Sequence, residues 1–216
     1  MVVLYRVIAV LIGYVFGLFQ TGYIYGKHKG IDIREHGSGN SGTTNTLRTL
    51  GPKAGGITFL GDCLKAIAAM GVVWLIFHHS CGEWDKVLCL YAGFGAVLGH
   101  NFPFYLKFKG GKGIACTAGV VIGICPFAVP VCFAAFVIIV LITRYVSLGS
   151  IIGVLLFLVQ IFIFYRNGLL GVEGNYADEF VILAICFTAM ALIRHRANIV
   201  RLVKGTENKI HFSKKE

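Results

Sequence analysis

Long apolar runs alternate with short polar, mostly basic segments along the chain. The runs cover residues 2–26, 54–78, 87–102, 114–143, 151–165 and 179–193. A helix needs about 20 predominantly apolar residues to cross the hydrocarbon core of a bilayer, and most of these runs approach or exceed that length. The pattern therefore predicts an all-α integral membrane protein.

The run over residues 114–143 is too long for one span, because a single helix would measure about 45 Å against a hydrocarbon core of about 30 Å. Pro126 and Pro130 lie near its middle, where the missing N–H and the ring clash favour a turn. Splitting the run there predicts about seven transmembrane helices. Because the sequence shows no internal repeat and no linker, residues 1–216 are expected to form a single polytopic membrane domain.

The basic residues support the seven-span topology. It places the segments 27–53, 103–113, 143–150 and 194–216, which carry most of the lysines and arginines, on one face. Six spans would divide them between the two faces. By the positive-inside rule the basic face is cytoplasmic.

Composition excludes several classes of protein. Hydrophobic residues make up 56% of the chain and charged residues only 14%, which rules out an ordinary soluble domain. The net charge of +10 does not indicate nucleic acid binding, because the bases occupy short loops between apolar runs, where they report topology and contacts with anionic headgroups or phosphates. The histidines His36, His78, His79 and His211 show no metal-binding arrangement, so no metal site is predicted.

Three polar segments on the basic face carry candidate chemistry. The first, residues 37–51, reads GSGNSGTTNTLRTLG. Its glycines allow backbone N–H groups to approach an anion, while hydroxyl, amide and guanidinium groups can bind phosphate. The candidates are Ser38, Asn40, Thr43, Thr44, Asn45 and Arg48. The alternative is a polar turn that caps the next helix, with Arg48 on lipid headgroups.

The second segment, residues 99–113, reads GHNFPFYLKFKGGKG and precedes an apolar run. Backbone donors at a helix N-terminus beside lysines can form a phosphate cradle, although the string is not a P-loop; a flexible basic turn is the alternative. The candidates here are Lys109, Gly110, Gly111, Lys112 and Gly113.

The third segment, residues 195–209, follows the last apolar run. A helix would place His195 and Asn198 on one face, where a histidine can exchange protons and an amide can donate to an oxyanion. A helix lying on the headgroups is the alternative. Within the second apolar run, Asp62 and Lys65 are expected to pair with each other, because isolated charges are costly in hydrocarbon; a direct part in the chemistry is the alternative.

Together the three segments, in this order, resemble the motifs of the bacterial PlsY family of acyl-phosphate:glycerol-3-phosphate acyltransferases, and RYVSLGS over residues 144–150 resembles a further family segment. The resemblance implies an inner-membrane enzyme, with its active site facing the cytoplasm, that moves a fatty acyl group from acyl phosphate to glycerol 3-phosphate and gives lysophosphatidic acid without a cofactor. It implies that Ser38 and Arg48 hold phosphate, that the loop over residues 110–113 binds glycerol 3-phosphate, that His195 and Asn198 are needed for activity, and that Glu207 is structural. Ser147 or Ser150 would contact substrate.

The chemistry of an acyl phosphate permits direct attack by the glycerol hydroxyl, with no covalent enzyme intermediate. Arg48, Lys112 and Lys109 would hold phosphates, and Asn198 would stabilise the oxyanion. Two proton acceptors remain open: His195 and the donor's own phosphate. The competing class is a transporter, whose polar groups are expected near the bilayer midplane rather than in loops on one face.

Overall fold

The computed structural model describes residues 2–81 and 84–210, and in this part of the chain every regular element is helical. The α-helices are α1 (Val2–Gly17), α2 (Thr21–His28), α3 (Thr43–Leu50), α4 (Pro52–Cys81), α5 (Asp85–Asn101), α6 (Ile114–Ile124), α7 (Val129–Thr143), α8 (Val146–Arg166), α9 (Gly174–Arg194) and α10 (Arg196–Val203). The all-α prediction is confirmed. His211 lies outside the described residues.

Six helical segments within the described ranges are long and apolar enough to cross a membrane: Val2–His28, Pro52–His79, Asp85–Leu106, Pro126–Thr143, Val146–Arg166 and Gly174–Arg194. The seventh apolar helix, α6, has 11 residues. It is therefore about 16 Å long and covers only about half of the hydrocarbon core.

The predicted break in the long apolar run is confirmed. Helix α6 ends at Ile124, a 3-10 turn occupies Pro126–Ala128, and α7 begins at Val129. Proline at the start of the turn has no N–H to continue the α6 ladder, so the chain reverses between two helices.

The first apolar run differs from the single helix expected over residues 2–26. It is interrupted between Gly17 and Thr21, where the buried side chain of Gln20 turns inward. The side-chain amide nitrogen of Gln20, Nε2, donates to the carbonyl oxygens of Gly17, at 3.2 Å, and His100, at 3.0 Å. The interruption thus joins α1 to the end of α5.

Helix α5 lies at the centre of the bundle. It packs closely on α1, since a methyl group added at Gly13 would lie 1.9 Å from the carbonyl oxygen of Ala92. Small residues on both helices allow this approach, as is common between membrane helices. Buried side chains such as Leu88, Phe180 and Phe187 extend the core to α9. The carboxyl ends of α5 and α9 lie at the same end of the bundle, beside the polar segments.

Candidate active site

A cavity of about 130 Å³ lies at this end of the bundle, lined by side chains from all three motif segments and from the start of α8. The predicted site residues in its wall are Ser38, Asn40, Thr43, Thr44, Asn45, Arg48, Lys112, Gly113, Ser147, Ser150, His195 and Asn198. Segments far apart in sequence meet there, so the prediction that they share one face of the bundle is confirmed.

The cavity has unused hydrogen-bonding capacity. Thr43 Oγ1 and Arg48 Nε are buried, and neither has a partner within the part of the chain that the structure describes. Another nitrogen of Arg48, Nη2, donates to the carbonyl oxygen of Asn208 at 2.9 Å, which fixes the side chain. Because orphaned buried donors are costly, the arrangement suits a ligand rich in acceptor oxygens.

Lys112, Asn198 and Glu207 form a hydrogen-bonded chain along the wall. Lys112 Nζ donates to Asn198 Oδ1 at 2.6 Å, and Asn198 Nδ2 donates to Glu207 Oε1 at 2.7 Å. Ser147 Oγ donates to the same Glu207 oxygen at 3.0 Å, and Arg201 Nε donates to Oε2 at 2.8 Å. Glu207 therefore ties α8 to α10, which gives it the structural part that the resemblance implied.

The charges around Lys112 shape its protonation. Burial lowers the pKa of Lys112 to about 8; Glu207 opposes this shift, while the positive charges of Arg201 and Arg48 add to it. Burial tends to raise the pKa of Glu207, but hydrogen bonds from Asn198, Arg201 and Ser147 outweigh it and lower the pKa overall. The cavity wall thus carries several cations and one carboxylate, whose negative charge is balanced by its hydrogen-bond donors. This excess of positive charge favours an anionic ligand.

His195 is held in one orientation at the junction of α9 and α10. Its Nδ1 lies 2.8 Å from the carbonyl oxygen of Ala191, which can only accept, so Nδ1 carries the proton and Nε2 of the neutral ring is left as the acceptor. Burial and the nearby charge of Lys112 lower the pKa of His195 to about 4. The imidazole is therefore neutral and a weak base at physiological pH.

Two amides of the first segment serve mainly to fold it. Asn45 Nδ2 donates to the carbonyl oxygens of Ile33, at 3.0 Å, and His36, at 2.9 Å, while its Oδ1 accepts from the Ser38 N–H at 2.8 Å. Both N–H groups are thus committed, which corrects the expectation that Asn45 donates to phosphate. Asn40 Oδ1 accepts from the Gly42 N–H at 2.9 Å in a local turn.

Lys109, Gly110 and Gly111 do not line the cavity, contrary to expectation. The Lys109 side chain is exposed, whereas Gly110 and Gly111 are buried behind the wall. The guanidinium of Arg194 donates to both glycine carbonyls, at 3.1 and 2.8 Å, from its Nη2. Gly110 and Gly111 therefore help to shape the loop, whereas Lys112 and Gly113 are the residues of the loop that line the cavity.

Sequence reasoning missed several residues in the cavity wall, among them Asp62, His100, Arg201 and Asn208. Arg201 and Asn208 lie within the third segment and fit its basic, polar character. Asp62 was expected to pair with Lys65, with a direct part in the chemistry as the alternative, and the pair is present, at 2.8 Å. His100 begins the second segment beside Gly99, but its neighbours in space could not be read from the chain.

An apolar groove of about 190 Å³ adjoins the polar cavity. The two share Phe59, Ile114, Phe136 and Ser150, so the polar end opens directly onto the groove. The groove follows α6, α7 and α8 into the bundle, with Val121, Cys132, Gly153 and Phe157 along its wall.

Comparison with known proteins decides the family. The model of the glycerol-3-phosphate acyltransferase family matches residues 7–205. The chain belongs to this family. A glycerol-3-phosphate acyltransferase of Clostridioides difficile is 41% identical over 95% of both chains, and one of Alkaliphilus metalliredigens is 41% identical over 95% of this chain and 96% of its own.

Solved structures agree with the family assignment. The glycerol 3-phosphate form of PlsY, an integral membrane glycerol 3-phosphate acyltransferase, has a TM-score of 0.82 and 33% identity, covering 95% of this chain and 96% of that one. Its lysophosphatidic acid form has a TM-score of 0.79 and 32% identity, with 95% of each chain covered. The acyltransferase described here is thus a multi-pass membrane protein of the same fold.

Proposed function

We propose that the protein transfers a fatty acyl group from acyl phosphate to the sn-1 hydroxyl of glycerol 3-phosphate, giving lysophosphatidic acid and inorganic phosphate. The observation that carries the proposal is the junction between the cationic cavity and the apolar groove at Phe59, Ile114, Phe136 and Ser150. An acyl phosphate has a charged head and an apolar tail. The junction is where its carbonyl carbon would lie beside a second phosphate-bearing substrate.

The cationic side chains reach the cavity from two walls, and we place the phosphate of glycerol 3-phosphate between Arg48 and Lys112. Arg48 and the hydroxyl of Thr43 offer donors from one wall, and Lys112 offers its ammonium from another. Holding both substrates in a fixed orientation would convert a two-body reaction into an effectively intramolecular one. Ser38 and either Ser147 or Ser150 would add hydroxyl contacts.

The acceptor hydroxyl attacks the acyl carbonyl carbon, the bond to the phosphate oxygen breaks, and phosphate leaves. Asn198 uses one amide N–H on Glu207, so its second N–H is the donor for the developing oxyanion. Its oxygen meanwhile holds Lys112 toward phosphate.

The donor's own phosphate is the better proton acceptor. The donor's phosphate gains negative charge as its bond to the acyl carbon breaks, which makes it a stronger base than His195 with its pKa of about 4. In this scheme Nε2 of His195 accepts a hydrogen bond from the neighbouring sn-2 hydroxyl and so orients glycerol 3-phosphate, while the proton of the attacking sn-1 hydroxyl leaves with the phosphate group.

We place the protein in the bacterial inner membrane with the polar cavity facing the cytoplasm, an orientation that the charge asymmetry of the loops supports. The whole chain would act as one polytopic domain with membrane lipid around it, without nucleic acid and without a cofactor.

Donor choice tests the proposal. Purified protein in detergent micelles would be given labelled glycerol 3-phosphate with acyl phosphate, acyl-coenzyme A or acyl carrier protein, and the lipid product would be quantified. We expect lysophosphatidic acid from acyl phosphate alone. Equal or faster product formation from either thioester donor would contradict the proposed donor.

A further inference from the structure

A buried cluster of ionisable side chains lies in the membrane-spanning helices α4 and α5, where α5 enters the second motif segment. Asp62, Lys65 and His100 are only 1%, 6% and 3% exposed. Asp62 and His100 reach the wall of the substrate cavity. Charges buried at this depth are costly unless each has a partner, so the contacts within the cluster decide what it does.

Lys65 is the centre of the cluster. Its Nζ donates to Asp62 Oδ1 at 2.8 Å, to the carbonyl oxygen of Phe19 at 2.6 Å, and lies 2.9 Å from His100 Nδ1. An ammonium has three N–H donors and no acceptor, so the three contacts use all of them and His100 Nδ1 must accept. The His100 Nδ1 to Asp62 Oδ1 distance of 3.6 Å is too long for a competing hydrogen bond.

The same contacts argue against a metal ion. Asp62, His100 and Cys116 bring potential ligand atoms within 4.8 Å of one another. The ammonium of Lys65 already bonds to two of the three residues and occupies the position that a cation would take. The cluster is therefore organised around an internal cation supplied by the protein.

His100 connects the cluster to the loop that carries Lys112. Its carbonyl oxygen accepts from the Gly111 N–H at 3.1 Å. A methyl group added at Gly111 would lie 1.9 Å from Nε2 of the ring, so the imidazole packs directly against the Gly111 backbone. Arg194 holds the Gly111 carbonyl oxygen from the other side, at 2.8 Å. Gly111 is thus held by His100 and Arg194, one residue before Lys112.

We propose that Asp62, Lys65 and His100 form a positioning unit for this loop. Asp62 orients Lys65, Lys65 fixes the ring of His100, and the ring sets the Gly111 backbone, which directs Lys112 into the cavity. The inference rests on the proposed function, because glycerol 3-phosphate is taken as the ligand that Lys112 holds. The proposed role differs from that of a simple ion pair, in which two buried charges only neutralise each other.

Steady-state kinetics separate the two roles. Lys65→Met leaves the Asp62 carboxylate unpaired, so the main variant is Asp62→Asn/Lys65→Met, which removes both charges and limits the cost of burial. We expect the double variant to unfold near the wild-type temperature and to show a KM for glycerol 3-phosphate raised about tenfold or more, with a smaller change in kcat and no change in the donor KM. Lys53→Met, an exposed lysine on the same helix, is the control and should match wild type. A folded double variant with a wild-type KM would overturn the proposal.

Nitrogen NMR tests the unit in the unaltered protein. With ¹⁵N-labelled histidine, and the His100 signals assigned by their loss in His100→Asn, we expect the proton on Nε2, an acceptor signature at Nδ1, and a shift of both signals on titration with glycerol 3-phosphate. A proton on Nδ1, or signals that glycerol 3-phosphate leaves unchanged, would overturn the proposal even if the variants of Asp62 and Lys65 do not fold. Wild-type protein that made no lysophosphatidic acid from any donor would instead contradict the proposed function.

Discussion

Two polar clusters lie at opposite ends of α5 and α9, and they differ in how completely their groups are paired. At the end remote from the cavity, the Arg6 guanidinium and the Tyr91 hydroxyl both donate to the carboxylate of Glu179, and Arg6 lies 5.5 Å from the centre of the Trp84 ring. At the cavity end, Arg48 Nε and Thr43 Oγ1 are buried without a partner in residues 2–81 and 84–210. The first cluster is closed by its own partners, whereas the second leaves donors for a ligand.

Because the two clusters differ in pairing, we expect Arg6 and Arg48 to differ in role. Arg6 joins α1 to α9 through a partly buried ion pair, so its removal would leave the Glu179 carboxylate without its charged partner and destabilise the fold. Arg48 is half-buried and lies near a second cation, and burial together with the charge of Arg201 lowers its pKa even though Glu207 opposes the shift. Such an arrangement is unfavourable without an anion and favourable with one.

The largest expected effect comes from exchanging the two arginines for methionine. Arg48→Met should lower kcat/KM by about a hundredfold or more, about 2.7 kcal/mol, because a charge-assisted phosphate contact is lost. Arg6→Met should lower the unfolding temperature while the activity of the folded fraction stays near wild type. Kinetics and thermal unfolding in detergent measure both effects. Equal losses of activity in the two variants would contradict the different roles assigned to Arg48 and Arg6.

Asn198→Ala should lower kcat/KM by roughly a hundredfold, because it removes both the anchor of Lys112 and the proposed oxyanion donor. Asn198→Asp separates the two. It keeps an acceptor for Lys112 but has no N–H, and its carboxylate would repel the Glu207 oxygen that Asn198 contacts at 2.7 Å, so we expect kcat to remain low while the KM for glycerol 3-phosphate recovers only in part. Recovery of kcat in Asn198→Asp would exclude the amide as an oxyanion donor.

The pH dependence of glycerol 3-phosphate binding tests the contribution of one charge in the cavity, that of Lys112. The Lys112 ammonium has a pKa of about 8, so it is charged below that pH and neutral above it. We expect the affinity of the free enzyme for glycerol 3-phosphate to fall as the pH rises through about 8, by up to tenfold per pH unit. Binding measured from pH 7 to 9.5 should show this, and Lys112→Arg should remove it, because arginine stays protonated. A dependence that persists in Lys112→Arg has another source.

The smallest expected effect concerns the apolar groove. A methyl group added at Gly153 would meet only the Cys132 carbonyl oxygen, at 3.9 Å, so there is room for a larger side chain. Gly153→Leu should fill part of the groove and slow transfer from long-chain donors about tenfold relative to short-chain donors. Val159→Leu, at an exposed position of the same helix, is the control. An unchanged chain-length preference in Gly153→Leu would place the acyl chain elsewhere.

Sequence reasoning reached the features that depend on local pattern. The proline break at Pro126 and the i, i+3 pair of Asp62 and Lys65 follow from spacing along one segment, and both are present. The meeting of the three motif segments followed from the charge asymmetry. The break before Thr21 was not foreseen, because Gln20 is held by carbonyl groups of a distant helix.

The same limit applies to the site. Asn45 has a side chain suited to phosphate, and only the folded loop commits its N–H groups to Ile33 and His36. Gly111 has a backbone suited to an anion, yet the ring of His100 occupies that space. Residue type shows what a group can bind, whereas the partner it meets depends on contacts between segments far apart in the chain.

Calorimetric titration of glycerol 3-phosphate into purified wild type, Arg48→Met and Arg6→Met tests most directly whether the incompletely paired cluster is the substrate site. We expect wild type and Arg6→Met to bind with the same Kd and Arg48→Met to bind at least a hundredfold more weakly. Wild-type affinity in Arg48→Met, or loss of binding in a folded Arg6→Met, would contradict this expectation.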